Sequence, residues 1–265
     1  MTIFFITFII LLLIGVPISI SIGASAVLGC LVLDYPLMVI GQKMVTGVDS
    51  YLLIAIPLFI LAGNLMNAGK ITDKIFSFAK ELVGWIPGGL GHANIVASII
   101  FAGMSGSAAA DAGGLGPIEM EAMTKNGYRD NFSGAVTAAS SVIGPIFPPS
   151  IPLIIYGATA SVSVAKLFMG GVLPGLLMGV ALMVLVFIFA VKYRFERHPF
   201  DIIALSKQFF GSILSLITPL IILAGFTSGS FTPTEASSIA VAYSLVIAVV
   251  VYPVSYTHLT LPTNR

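Results

Sequence analysis

From Ile3 to Leu33 the chain runs 31 residues without a charged side chain. As one straight helix that run would reach roughly 46 Å, whereas the hydrocarbon core of a bilayer is about 30 Å thick. The run must therefore tilt, extend past the core or break. Gly15-Val16-Pro17 is the place to break, because Pro17 lacks the backbone donor that a helix needs. Apolar stretches recur as far as Tyr252, and only 9% of the 265 residues are charged against 57% hydrophobic. A soluble domain carries about 25% charged residues, so a soluble globular enzyme and a disordered chain are both excluded. The net charge of +1 offers no basic footprint for nucleic acid. Cys30 is the single cysteine and reads as a small buried hydrophobe. The first run is too long for a secretory signal, and no charged n-region precedes it. The chain belongs in a membrane.

Further spans are expected at Tyr51 to Met66, with a mild interruption at Pro57, at Leu167 to Val191 and at Gln208 to Gly225. A short linker carrying Asp34, Lys43 and Asp49 precedes the first of these. Between Lys70 and Glu81, Ile71, Ile75, Phe78, Ala79 and Leu82 recur at helical spacing opposite the charged positions. That pattern predicts an amphipathic helix lying in the membrane interface, with Trp85 as an interfacial aromatic.

The stretch from Gly88 to Met123 reads differently. An apolar arm from Leu90 to Met104 meets Ser105-Gly106-Ser107 and returns through Asp111 and Gly113-Gly114-Leu115-Gly116 to Glu119 and Glu121. Each arm is about 15 residues, too short to cross, so the pair is expected to form a re-entrant hairpin. Next, Phe132 to Tyr156 holds Pro145, Pro148, Pro149 and Pro152 at its centre. Each proline removes a helical hydrogen bond and pushes the preceding residue out of the helical region, so this span is discontinuous. Irregular backbone at membrane depth is tolerated only inside protein or against a cavity. A tip offering amides and hydroxyls, facing a break offering unpaired carbonyls, is the arrangement by which secondary transporters hold small cations and anions. Gly113, Gly114 and Gly116 read as close-packing positions.

The acids divide. Asp111 follows the tip, where capping of the return arm competes with a functional role. Thr234 and Glu235 follow Pro233 at a helix start, where the same two readings compete. Glu119 and Glu121 are expected to be solvated. His92 is expected to be a polar interface residue rather than a proton relay. Nucleotide-binding, zinc-protease and nucleophile-elbow patterns do not occur in the sequence, so the chain is not expected to be an enzyme. Lys70, Lys74, Lys80, Lys125 and Arg129 flank the hairpin, and Lys192, Arg194, Arg197 and Lys207 lie two crossings later. The positive-inside rule places all of them in the cytoplasm, with Phe231 to Glu235 toward the outer side. Lys43 is the dissenting charge.

Four segments carry a family resemblance: Ile56 to Gly63 (IPLFILAG), Phe101 to Ala108 (FAGMSGSA), Ser140 to Pro152 (SSVIGPIFPPSIP) and Phe231 to Ala236 (FTPTEA). In order and combination they resemble the DctM-like large membrane subunit of tripartite ATP-independent periplasmic (TRAP) transporters, over roughly residues 1 to 252. The resemblance implies an all-α, multi-span transporter of the inner membrane built from inverted repeats, each with a re-entrant hairpin and a broken helix. This chain corresponds to the first repeat and the opening of the second hairpin. The resemblance further implies sodium coupling, an elevator mechanism, a periplasmic solute-binding protein, a small Q-type membrane subunit and an organic anion such as a C4-dicarboxylate or sialic acid. By position it assigns a sodium site to Ser105, Gly144, Phe147 and Pro149, mainly through backbone carbonyls. Ser107, Asp111, Ser150, Thr232, Thr234 and Glu235 become candidates for substrate contact or gating.

On this reading residues 1–85 are N-terminal spans and scaffold, 86–160 transport elements, 161–229 connecting spans and 230–253 the start of the second hairpin. Residues 254–265 change to polar composition and read as a foreign tail. A single-component anion carrier and an inactive membrane fragment are the alternatives.

Overall fold

A computed structural model describes residues 2–195 and 199–251. Arg197 and the polar tail 254–265 lie outside the described residues. Thirteen helices, and no strand, occur among those described. The chain forms two compact units divided between Ser50 and Tyr51.

In the first unit, α1 (Thr2–Leu13) and α2 (Ile18–Val32) pack on one another across the expected break, where Gly15 has φ 88°. The segment expected as a linker is instead helical, as α3 (Met38–Val48). Its apolar Met38, Val45 and Val48 make a helix affordable around Lys43, and all three remain exposed.

The second unit opens with a tight turn (Tyr51–Ile54) and α4 (Ala55–Ala68), which tolerates Pro57 because its missing N–H falls in the first turn. α5 (Ile71–Val83) is amphipathic as expected, but most of its apolar stripe is turned onto protein, with Leu82 left 38% exposed. Ile71, Ile75, Phe76 and Ala79 are buried against Phe101 and Met104 of α6 (Gly89–Ser105). On the far side the Ser212 hydroxyl of α12 (Ile202–Thr227) donates to the Lys74 carbonyl at 3.0 Å. Protein therefore covers the face that was expected to meet the interface. α4 and α5, grouped by sequence with the N-terminal spans, belong to the same compact unit as the hairpin.

α6 is the first hairpin arm. The return arm is α7 (Ala108–Gly114) followed by α8 (Gly116–Lys125), and hydrogen bonds run through the joint, from Leu115 to Asp111 and from Glu119 to Leu115. The discontinuous span is α9 (Asp130–Ser141), an irregular segment 142–150 containing a cis Pro148-Pro149 bond, and α10 (Ile151–Ala160). α11 (Val164–Tyr193) and α12 are long enough to cross a bilayer, as are the apolar runs Tyr51–Ala68 and Pro233–Val250. Lys207, just before the span expected to begin at Gln208, lies inside α12. α13 (Pro233–Val246) packs along α4 and joins Phe59, Ile154, Phe168 and Phe226 in one core. Along α11, Leu173, Leu177, Val180, Val184 and Ile188 are all more than half exposed. A band of that size on a soluble surface would drive association; here it is the surface for lipid chains.

Candidate functional site: the hairpin tip against the broken helix

Gly106 closes α6 in the left-handed conformation, φ 61°, which glycine adopts without steric cost. It turns the chain into Ser107, whose hydroxyl caps α7 by accepting from the Ala110 N–H. The tip sits directly on the break. The Ile151 N–H donates to the Gly106 carbonyl at 3.3 Å. A Cβ on Gly106 would lie 2.3 Å from the Pro149 carbonyl oxygen, and one on Gly144 would lie 3.2 Å from the Ser107 carbonyl carbon. On the other side α4 closes in, since a Cβ on Gly63 would come within 3.2 Å of the Ser105 Cβ. Ser105, Gly106, Ser107, Gly144 and Pro149 therefore share one buried locus. The Phe147 ring points away, against Gly175 of α11 and Gly103 of α6, leaving its backbone at the break.

The polar atoms of this locus are unevenly satisfied. Ser105 is fully buried and its Oγ has no partner among the described residues. The carbonyl oxygens of Gly144, Phe147 and Pro149 likewise meet no protein donor among the described residues. Ser150 is satisfied: it donates to the Pro145 carbonyl and accepts from the Leu153 N–H, capping α10. Buried oxygens without donors fit a small cation, because a bare carbonyl in an apolar interior is costly unless something positive faces it.

Asp111 is 1% exposed and does not cap the return arm, a task that Ser107 performs. Its carboxylate lies beside the hydroxyls of Ser98 and Ser141, which donate elsewhere, to the Ser140 hydroxyl and the Thr137 carbonyl. Glu119 was expected to be solvated and is instead 1% exposed, held inside because α8 turns that face toward α9. Glu121 is exposed as expected and pairs with Lys125. His92 is also interior; its Nε2–H donates to the Pro87 carbonyl at 3.1 Å. Gly114 and Gly116 are close-packing positions, against Asn67 and Thr137, whereas Gly113 faces open space.

Thr232, Thr234 and Glu235 lie away from the tip. Thr232 and Glu235 form a reciprocal capping box on α13, and the Thr234 hydroxyl donates to the Tyr51 carbonyl at 3.1 Å. These contacts give all three a structural task.

A buried polar chain was not anticipated. Asn94 Nδ2 donates to Thr137 Oγ1 at 2.7 Å, Ser140 donates to Asn94 Oδ1 at 2.7 Å, and Ser98 donates to Ser140 at 3.1 Å. It stitches the first hairpin arm to the first half of the broken span. Its signal was present in the spacing: Asn94 and Ser98 are four apart on one arm, and Thr137, Ser140 and Ser141 recur three and four apart on the other.

A family model described as the DctM component of the tripartite ATP-independent periplasmic transporter matches residues 5–265. The chain belongs to this family. It is 49% identical over 215 residues to the sialic acid TRAP transporter large permease protein SiaM of Vibrio cholerae, covering 80% of this chain and 50% of that protein. It is 50% identical over 212 residues to the sialic acid TRAP transporter permease protein SiaT of Haemophilus influenzae, covering 80% and 34%. It is 38% identical over 248 residues to the C4-dicarboxylate TRAP transporter large permease protein DctM of Vibrio cholerae, covering 91% and 54%. The chain thus spans about half the length, or less, of these DctM relatives. DctM proteins are inner-membrane transporter permease subunits rather than enzymes, which agrees with the four apolar helices long enough to cross.

Proposed function

We propose that these residues are the first hairpin and first broken helix of the large permease subunit of a sodium-coupled importer. Its cargo is an organic anion, a sugar acid or other carboxylate, handed over by a periplasmic solute-binding protein. A small Q-type membrane subunit supports the large one. One observation carries the reading: Ser105 Oγ, buried and without a partner among the described residues, lies at the tip where Gly106 meets the Pro149 carbonyl and Gly144 approaches Ser107. In this reading Ser105, Gly144, Phe147 and Pro149 would hold sodium, and Ser107, Asp111 and Ser150 stand behind them. The ion supplies drive, since each inward sodium gains about 2.3 kcal/mol per 100 mV of membrane potential. Two relatives at 49% and 50% identity are sialic acid permeases, which favours a sugar acid over a short dicarboxylate.

The test is uptake by the complete permease with its small subunit and binding protein in vesicles. Uptake should require both an inward sodium gradient and the added binding protein. Equal uptake from a proton gradient without sodium would remove the coupling, and uptake indifferent to the binding protein would favour a single-component carrier.

A further inference from the structure

Two separate basic turns meet at one end of the molecule. The α8–α9 turn brings Arg129, and the end of α11 brings Lys192 and Arg194. Arg194 adopts the left-handed conformation, φ 54°, and both its N–H and that of Phe195 donate to the Ala190 carbonyl. This reversal folds Phe195 back onto Tyr128, ring centroids 4.1 Å apart, and near Phe132 at 5.3 Å. Phe132 in turn meets Phe189 at 5.7 Å, and Phe189 stacks on Tyr193. The result is a cavity of about 540 Å³ with an aromatic floor, and Arg129, Asn131 and Arg194 in its lining. Among the described residues no acidic side chain lines it; Asp130, beside Arg129, stands outside the lining. Arg129 and Lys192 both sit over the Tyr193 ring, at 5.4 and 5.7 Å. Neither arginine is in a salt bridge among the described residues.

We propose that this pocket binds the headgroup phosphate of an anionic phospholipid. Two features select a lipid over a soluble anion. The cavity opens at the end of a 30-residue membrane-crossing helix, at the level where headgroups lie. Both arginines fall on the face that the positive-inside pattern assigns to the cytoplasm, the leaflet rich in anionic lipid. Arginine is suited to the task, since its planar fork takes two phosphate oxygens at once while its face rests on an aromatic ring.

The full chain, extracted with its native lipids and purified, should retain phosphatidylglycerol or cardiolipin above their share in the parent membrane. Changing Arg129→Gln and Arg194→Gln should cut that enrichment about fivefold per arginine, whereas Lys207→Gln, on exposed α12 surface, should not. Arg129→Lys with Arg194→Lys keeps the charge but loses the planar fork, and should retain more of the enrichment than the glutamine variants but less than the parent, which separates loss of the site from loss of the fold. Inorganic phosphate at the same concentration as a short-chain phosphatidylglycerol should fail to displace the lipid. Retained lipid matching the bulk membrane would overturn the proposal, as would equal displacement by inorganic phosphate or occupation of the pocket by a protein subunit.

Discussion

Gly106 at the hairpin tip and Pro149 in the broken helix are in backbone contact, so close that a single methyl group on Gly106 would fall 2.3 Å from the Pro149 carbonyl oxygen. Replacing Gly106 with alanine should therefore be among the most damaging single changes. It combines a left-handed residue with a steric collision, each costing about 1–3 kcal/mol. Sodium-driven uptake should fall below a tenth of the parent, and the melting temperature of the purified permease should drop. Unchanged uptake would mean that the tip can separate from the break at no cost.

Ser105→Ala isolates the hydroxyl. The Oγ has no protein partner among the described residues, so its removal breaks no internal hydrogen bond and the fold should melt at nearly the parent temperature. If the hydroxyl faces sodium, the sodium concentration that half-stabilises the protein should rise about tenfold, the scale of one lost interaction of ~1.4 kcal/mol. A parent-like sodium dependence would take Ser105 out of the ion site.

Much of this locus was legible before any coordinates, and the reasons are local. A Ser-Gly-Ser between two arms too short to cross, and four prolines within eight residues, are constraints that lipid makes severe. Glu119 was misplaced because nothing in a sequence says which way a return arm rotates; two glutamates two residues apart, Glu119 and Glu121, ended on opposite faces. α5 was misassigned for a related reason. An apolar stripe announces that something covers it, without saying whether the cover is lipid or a neighbouring helix. Capping of α13 was expected at Thr234 and Glu235 after Pro233; the geometry makes the box with Thr232 and Glu235 instead.

The Asn94–Thr137–Ser140–Ser98 chain should be a mechanical tie. Asn94→Ala takes the Asn94 donor from buried Thr137 Oγ1, while Ser140 keeps its bond to the Thr137 carbonyl, a cost of about 1–3 kcal/mol. The midpoint of thermal unfolding should fall by several degrees, whereas Asn94→Asp should be worse still, because it buries a charge. A parent-like midpoint for Asn94→Ala would show that the chain bears no load.

Tyr128 lies at the turn between α8 and α9, 4% exposed, and burial pushes its phenol up to about 12 from the ordinary value near 10. A phenol whose folded value is raised adds stability that is fully present below about pH 10 and is lost as pH rises from there toward 12. An alkaline spectroscopic titration should show one tyrosine ionising about two pH units after the exposed ones, and Tyr128→Phe should delete that late step.

Thr232→Ala removes half of the α13 capping box and should lower stability by about 1 kcal/mol. Its effect should appear in thermal unfolding and leave the half-saturating sodium concentration untouched. A shifted sodium dependence would instead draw the start of α13 into the transport site.

The most direct measurement is an ion map of the complete permease, solved in thallium, a heavy stand-in for a monovalent alkali cation. Anomalous density should appear between the Ser105 hydroxyl and the carbonyls of Gly144, Phe147 and Pro149, and added sodium should erase it. A tip and break in contact, with density absent there and present elsewhere, would contradict the shared site.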